Sequence, residues 1–202
     1  MRSGFGSPSW ASTARVTDVA GGLVLASASP QRKAILEQLG VDFTVQPAGV
    51  DELTDGEPRA VVLENALRKA RAVEGDLVLG SDTEVYLDGK IFGKATDERH
   101  AEEYLRRLSG RTHEVWSGIA LRANGGERTG VAVTHVTFRE LSDCEIAWYV
   151  GTGEWRGRAG AYAIQGRGSA LVARIDGDFW NVVGMPVPEL LRIAPDLVTG
   201  CG

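Results

Sequence analysis

Apolar positions along this chain change period several times, and each change marks an expected element. Leu23–Leu25 is a short continuous apolar run, as in a buried strand. Residues 31–39 then place Ile35, Leu36 and Leu39 on one helical face, with Ser29 suited to the N-cap, Pro30 to the first helical position and Gly40 to the stop. "VDFTVQPA" alternates like a strand. "EPRAVVLENALRKARAVEGD" reads as a second helix, with Pro58 near its start and Gly75 past its end. "LVLGSD" follows as a strand that breaks at its polar end, and "TEVYLDGKIFGK" as a separate hairpin turning at Asp88-Gly89.

The second half continues in the same mixed style. "TDERHAEEYLRRLSG" predicts a helix capped by Thr96, with acids in the first turn and Arg106-Arg107 in the last, in agreement with the helix dipole. "HEVWSGIALRA" and "GVAVTHVTFREL" predict two long antiparallel strands across "NGGERT". "SDCE" at 142–145 fits a capping box before "IAWYV". The glycine-rich "GEWRGRAGAYAIQGRG" precedes an expected strand, "SALVARI", and "PVPELLRIA" closes as a short helix. Helices interleaved with hairpins predict an α/β fold in which a mixed sheet carries flanking helices.

Composition narrows what such a fold can do. The 202 residues are 43% hydrophobic and 24% charged, enough for one sizeable core or two small lobes. The expected organisation is a loose extension over 1–22, one catalytic domain over 23–197 and a tail over 198–202. A formal charge of −5 argues against bulk binding of nucleic acid, yet leaves room for an anionic small molecule held by a few local cations. No apolar run approaches a membrane span, and residues 1–22 lack the continuous apolar core of a secretory signal. Cys144 and Cys201 stand far apart, as in a reduced cytoplasmic protein. His100, His113 and His135 lack zinc spacing, so any metal is expected to be hard and oxygen-bound.

Four stretches carry chemistry. In "LVLASASPQRKAIL" a strand, a small-residue turn and a capped helix leave backbone N–H groups at the turn, with Ser27, Ser29, Arg32 and Lys33 adding hydroxyls and charge. Asp51-Glu52 and Asp82 are carboxylates suited to holding Mg²⁺ or Mn²⁺ beside phosphates, or to taking a proton from attacking water. Lys69 and Lys94 are candidates to neutralise phosphate charge. Gln165, between an apolar pair and glycines, offers an amide that can read a base edge. Each feature taken alone also has a plain account in capping, solvated loops or solvated helix faces. Neither a dinucleotide fingerprint nor a Walker A loop is present.

Taken in order, "LASASPQRKAILEQLG", "VDE", "NALRKA", "GSDTEVYLDGKIFGK", "LRRLSGRTHEVWSGIAL", "VTFREL", "AGAYAIQGRG" and "NVVGMPVPELL" resemble the Maf family of nucleoside triphosphate pyrophosphatases over nearly all of 23–195. The resemblance implies an elongated, two-lobed α/β fold related to the inosine triphosphate pyrophosphatases, with a central cleft, and dimers. It also implies hydrolysis between the α and β phosphates with a divalent cation, giving monophosphate and pyrophosphate. By the same resemblance Asp82 matches the proton acceptor, a metal ligand or both, and Glu52 an acid near the metal. Ser27, Arg32, Lys69 and Lys94 match substrate-binding positions.

Specificity falls on Gln31, Thr83 and Gln165. The family's dTTP/UTP branch reads "SPRR", "ADT" and "IQG", while its 7-methyl-GTP branch reads "SPWR", "SDQ" and a glutamate for the last glutamine. This chain has "SPQR", "SDT" and "IQG", so Thr83 and Gln165 side with dTTP/UTP while Gln31 matches neither. Relaxed selectivity toward modified nucleotides follows from the missing arginine fork at 31. The family's link to arrest of septum formation adds an alternative, a nucleotide-binding regulator without turnover.

Overall fold

The computed structural model describes residues 22–123 and 126–199; the extension expected over 1–22 lies, but for Gly22, outside them. Seven strands form one mixed sheet in the order β2-β1-β3-β5-β6-β7, with β4 also paired to β3. Strand β1 (Leu23–Leu25) runs parallel to β2 (Phe43–Val45) on one side and to β3 (Leu77–Leu87) on the other. Strands β4 (Lys90–Phe92), β5 (Thr112–Ala123), β6 (Gly126–Phe138) and β7 (Val172–Asp176) complete the sheet by antiparallel pairing.

The local signals explain most of the helices. Helix α1 (Pro30–Gln38) starts where the Ser29 hydroxyl accepts from the Arg32 amide at 3.4 Å, and it is followed by Gly40 at φ +70°. Helix α2 (Pro58–Ala72) packs on β3 and β5. Helix α4 (Asp143–Gly151) has the complete capping box, Ser142 and Glu145 each serving the other's backbone. Short helices α5 (Phe179–Val183), α6 (Val187–Ile193) and α7 (Asp196–Thr199) close the chain. The start of α3 (Glu98–Leu108) falls one residue later than expected. Its cap is Asp97, whose carboxylate accepts from the His100 amide at 2.8 Å, while Thr96 is too early to reach that donor. The "SALVARI" strand begins only at Val172, because residues 167–171 wind into a 3₁₀ helix after Gly166 accepts from the Ser169 amide and hydroxyl.

The cleft forms where one edge of β3 is left uncovered. Strand β3 does not break at "GSD": Gly80, Ser81, Asp82 and Thr83 stay paired with Ala120, Ile119, Gly118 and Ser117 of β5. The other edge of β3 is interrupted instead. Strand β1 covers it only from Leu77 to Leu79, and β4 only from Val85 to Leu87. Between them, residues 80–84 have a strand neighbour on one side alone, and the sheet opens there. The turn from β3 to β4 is the expected one, Asp88 and Gly89 both taking positive φ (50° and 77°), as a type I′ hairpin requires.

Two apolar cores flank this opening. One gathers Leu25, Leu36, Leu79 and Ile119 with α6; the other gathers Phe92, Leu105, Phe138, Tyr149 and Leu171 with α3 and α4. Helix α2 packs over the gap itself at unusually close range. A Cβ on Gly80 would run into the Ala66 carbonyl, and one on Gly118 into the Val62 carbonyl. Two glycines on neighbouring strands thus let helix backbone rest on sheet backbone.

Candidate active site

The opening is a cleft of about 570 Å³, and it brings together Ser27, Gln31, Arg32, Glu52, Lys69, Asp82, Thr83, Lys94 and Gln165, while Asp51 and Lys33, also singled out in the sequence, do not line it. Strand alternation sorts them. Asp82 meets α2, while Ser81 and Thr83 point to the other face, where both hydroxyls reach the Gly184 carbonyl at 3.4 and 3.3 Å.

On the α2 face, Asn65 and Lys69 stand one turn apart and hold the same two segments. Lys69 Nζ is 2.7 Å from Asp82 Oδ1 and 2.8 Å from Glu52 Oε1. Asn65, fully buried, donates from Nδ2 to Asp82 Oδ2 and to the Leu53 carbonyl (both 2.9 Å), and its Oδ1 accepts from the Leu53 amide at 2.7 Å. Both oxygens of Asp82 are therefore fixed, and the loop carrying Glu52 is locked to the helix. Lys94 approaches Glu52 Oε2 at 3.6 Å from the exposed rim. Burial raises the Glu52 pKa, but the Lys69 hydrogen bond and the charges of Lys69, Lys94 and Arg32 outweigh it and leave the group below the ordinary carboxylate value.

On the opposite face Arg32 is buried and already engaged: Nε donates to the Gly184 carbonyl (2.9 Å), and the terminal nitrogens donate to Ser27 Oγ (3.1 Å) and Thr83 Oγ1 (3.3 Å). Desolvation lowers its pKa while Asp82, Glu52 and Glu84 oppose that shift. Thr83 also bonds Ser117 Oγ at 2.8 Å. Gln31 is oriented by Ser29, whose hydroxyl donates to Gln31 Oε1 at 3.2 Å, leaving the amide N–H₂ for a ligand. Lys33 is not part of the cleft; it pairs with Glu37 at 3.6 Å on the exposed side of α1.

Sequence reasoning missed Glu84, Asn65, Arg156 and Arg158. Glu84 is buried beside Asp82, and its Oε2 has no hydrogen-bond partner. Desolvation, followed by repulsion from Asp82 and Glu52, pushes its pKa up to about 8. Glu52, Asp82 and Glu84 each offer an oxygen within 4.8 Å of the others. Among the described residues no histidine or cysteine lines the cleft. An all-oxygen set containing one buried, unpartnered carboxylate oxygen fits a hard divalent cation.

The family model described as Maf-like protein matches residues 22–196. The dTTP/UTP pyrophosphatase of Anaeromyxobacter dehalogenans (strain 2CP-C) is 50% identical over 181 residues, covering 85% of this chain and 93% of that protein. The dTTP/UTP pyrophosphatase of Symbiobacterium thermophilum is 48% identical over 177 residues, with 85% and 91% covered. That of Thermus thermophilus is 46% identical over 174 residues, with 85% and 92% covered. Among solved structures, the Staphylococcus aureus Ham1 protein aligns with a TM-score of 0.47 at 14% identity, covering 88% of this chain and 94% of its own.

Proposed function

From the premise that this chain belongs to the family of Maf-like proteins, we propose that its cleft hydrolyses dTTP and UTP to the nucleoside monophosphate and pyrophosphate. The observation that carries the reading is the fixed Asp82 carboxylate, held by Lys69 and Asn65 beside two further acids in a cleft whose other walls are cationic. Relatives named dTTP/UTP pyrophosphatase at 46–50% identity support the substrate class.

In this reading Asp82 receives the proton of a water attacking the α-phosphorus, the bond from that phosphorus to the α–β bridging oxygen breaks, and pyrophosphate leaves. Ser27, Arg32, Lys69 and Lys94 bind the polyphosphate chain, and their placement on separate segments surrounds its charge without a basic surface. Glu52, Asp82 and Glu84 would hold Mg²⁺ or Mn²⁺, which supplies charge neutralisation to the phosphates when bound. Thr83 and Gln165 select the base. A neutral amide suits the O, N–H, O edge of uracil or thymine, whereas a carboxylate suits the donor-rich edge of guanine. Gln31 adds a second amide where a charged fork is absent, which favours tolerance of modified pyrimidines.

We further take residues 23–197 as one catalytic unit acting as a cytoplasmic homodimer; no described helix is long and apolar enough to cross a membrane. The test is pyrophosphate release from dTTP, UTP, CTP, ITP, GTP and 7-methyl-GTP with Mg²⁺ or Mn²⁺. Preference for dTTP and UTP is expected, with a loss of about 10²–10⁴-fold in Asp82→Asn. Preference for 7-methyl-GTP overturns the substrate assignment. Nucleotide binding with no pyrophosphate released by either protein returns the regulator alternative.

A further inference from the structure

Among the described residues five cations line the cleft, and four of them already have partners. Arg32 is spent on Ser27, Thr83 and Gly184, Lys69 on Asp82 and Glu52, and Lys94 faces Glu52. Arg156 lies over the Trp155 ring and reaches Glu98 at 3.4 Å. The fifth, Arg158, is half-buried; its Nε is inaccessible and has no hydrogen-bond partner, and its guanidinium makes no hydrogen bond or ion pair with a described residue. Burial of Nε without an acceptor is costly, the nearby charge of Glu154 offsets it without a direct contact, and an entering anion supplies the missing acceptor.

The loop that presents Arg158 is fixed. The Arg158 amide donates to the Trp155 carbonyl, and the Ala161 amide to the Arg158 carbonyl, both at 3.2 Å. The Gly160 amide donates to Phe92 at 2.7 Å, and Lys94 and Ala159 form an isolated antiparallel bridge. Gly157, Gly160 and even Ala161 take positive φ (71°, 65° and 58°). Gly160 packs so closely on Val85 that a Cβ there would lie 2.8 Å from its methyl. Arg158 is thus pinned on the β4 side of the gap in β3, whereas Ser27 and Arg32 stand on the β1 side, with the three acids between.

We propose that Arg158 is a substrate-binding residue for the terminal phosphates and holds the leaving pyrophosphate. The assignment rests on the pyrophosphohydrolase reading above. Pyrophosphate carries more charge than the monophosphate product, and a planar guanidinium with its donors uncommitted can grip two of its oxygens at once. The other four meet the polyphosphate with donors they share with protein groups, the acids, the α1 wall or Glu98.

The experiment measures pyrophosphate binding by calorimetry, and inhibition by pyrophosphate and by dTMP, in wild type, Arg158→Gln and Arg158→Lys. Arg158→Gln is expected to bind pyrophosphate about tenfold more weakly and to raise KM for dTTP similarly, with dTMP inhibition unchanged. Arg158→Lys, which keeps charge but not the fork, falls between. Unchanged pyrophosphate affinity in Arg158→Gln, or a loss confined to dTMP, overturns the assignment. If Arg158→Gln fails to fold, the lysine variant decides: affinity equal to wild type counts against a bidentate contact. Because pyrophosphate binding is read without turnover, this result stands apart from the hydrolysis panel, in which absence of pyrophosphate release would defeat the enzyme reading itself.

Discussion

Two residues apart on one face of β3, Asp82 and Glu84 occupy opposite electrostatic surroundings. Asp82 has a cation on one oxygen and an amide on the other, both delivered by α2. Glu84 has a buried oxygen with nothing to accept from, and its carboxyl is driven up to about 8 by burial and by its acidic neighbours. Burial alone therefore does not decide what a carboxylate does here. The end of the cleft under α2 is a finished network that keeps its shape without ligand. The end toward β4 is unfinished, holding an acid oxygen and, in Arg158, a guanidinium that have no hydrogen-bond partner among the described residues.

Breaking the finished end should have the largest effect. Lys69→Met leaves Asp82 and Glu52 facing each other without their shared cation. It should cost about 3–5 kcal/mol by urea denaturation and abolish pyrophosphate release. Asn65→Leu is close in size but strands the Leu53 backbone groups and Asp82 Oδ2. About 1–3 kcal/mol should be lost, and because Asp82 is then misplaced, kcat should fall about a hundredfold. A variant that keeps full kcat would show that Lys69 suffices to align the acid.

The unfinished end should respond in the other direction. Between pH about 4.5 and about 8 the folded chain holds a proton at Glu84 that the unfolded chain has released, so stability in EDTA should fall as pH rises through that window. Glu84→Gln should flatten the decline and lose affinity for the divalent cation, while adding Mn²⁺ to wild type should flatten it too. A decline that persists in Glu84→Gln would move the titration elsewhere. Smallest of all is Lys33→Ala. This lysine follows Arg32 directly but pairs with Glu37 in solvent, so denaturation should change by less than about 0.5 kcal/mol.

What can be read from the sequence is what local chemistry dictates. The caps of α1 and α4 and the Asp88-Gly89 turn depend on neighbours a few residues away, and the structure has them where the pattern puts them. The β5–β6 pair forms as expected, but β6 starts at Gly126, inside the stretch expected to turn, and stops at Phe138, three residues short of the expected end. The break expected at "GSD" is absent because pairing with β5, some thirty-five residues on, overrides a polar run. Thr96 and Asp97 are both good caps, and only geometry separates them. The site residues taken from family resemblance all line one cleft, whereas Asn65, Glu84 and Arg158 needed the third dimension. Two of those left traces: Glu84 shares a strand face with Asp82, and Asn65 is a weak helix former in mid-helix, four residues before Lys69.

The paired glycines beneath α2 bear on how this protein can change. With main chain seated directly on main chain at Gly80 and Gly118, there is no side-chain cushion whose repacking could absorb a shift of the helix. Asn65 and Lys69 ride on that helix, so any displacement passes undamped to Asp82. On the proposed reading, selection for new nucleotides has room to work at Gln31 and Gln165, which line the walls. It has almost none at the seat, where a single added methyl group would lift the helix and both its grips away from the strand.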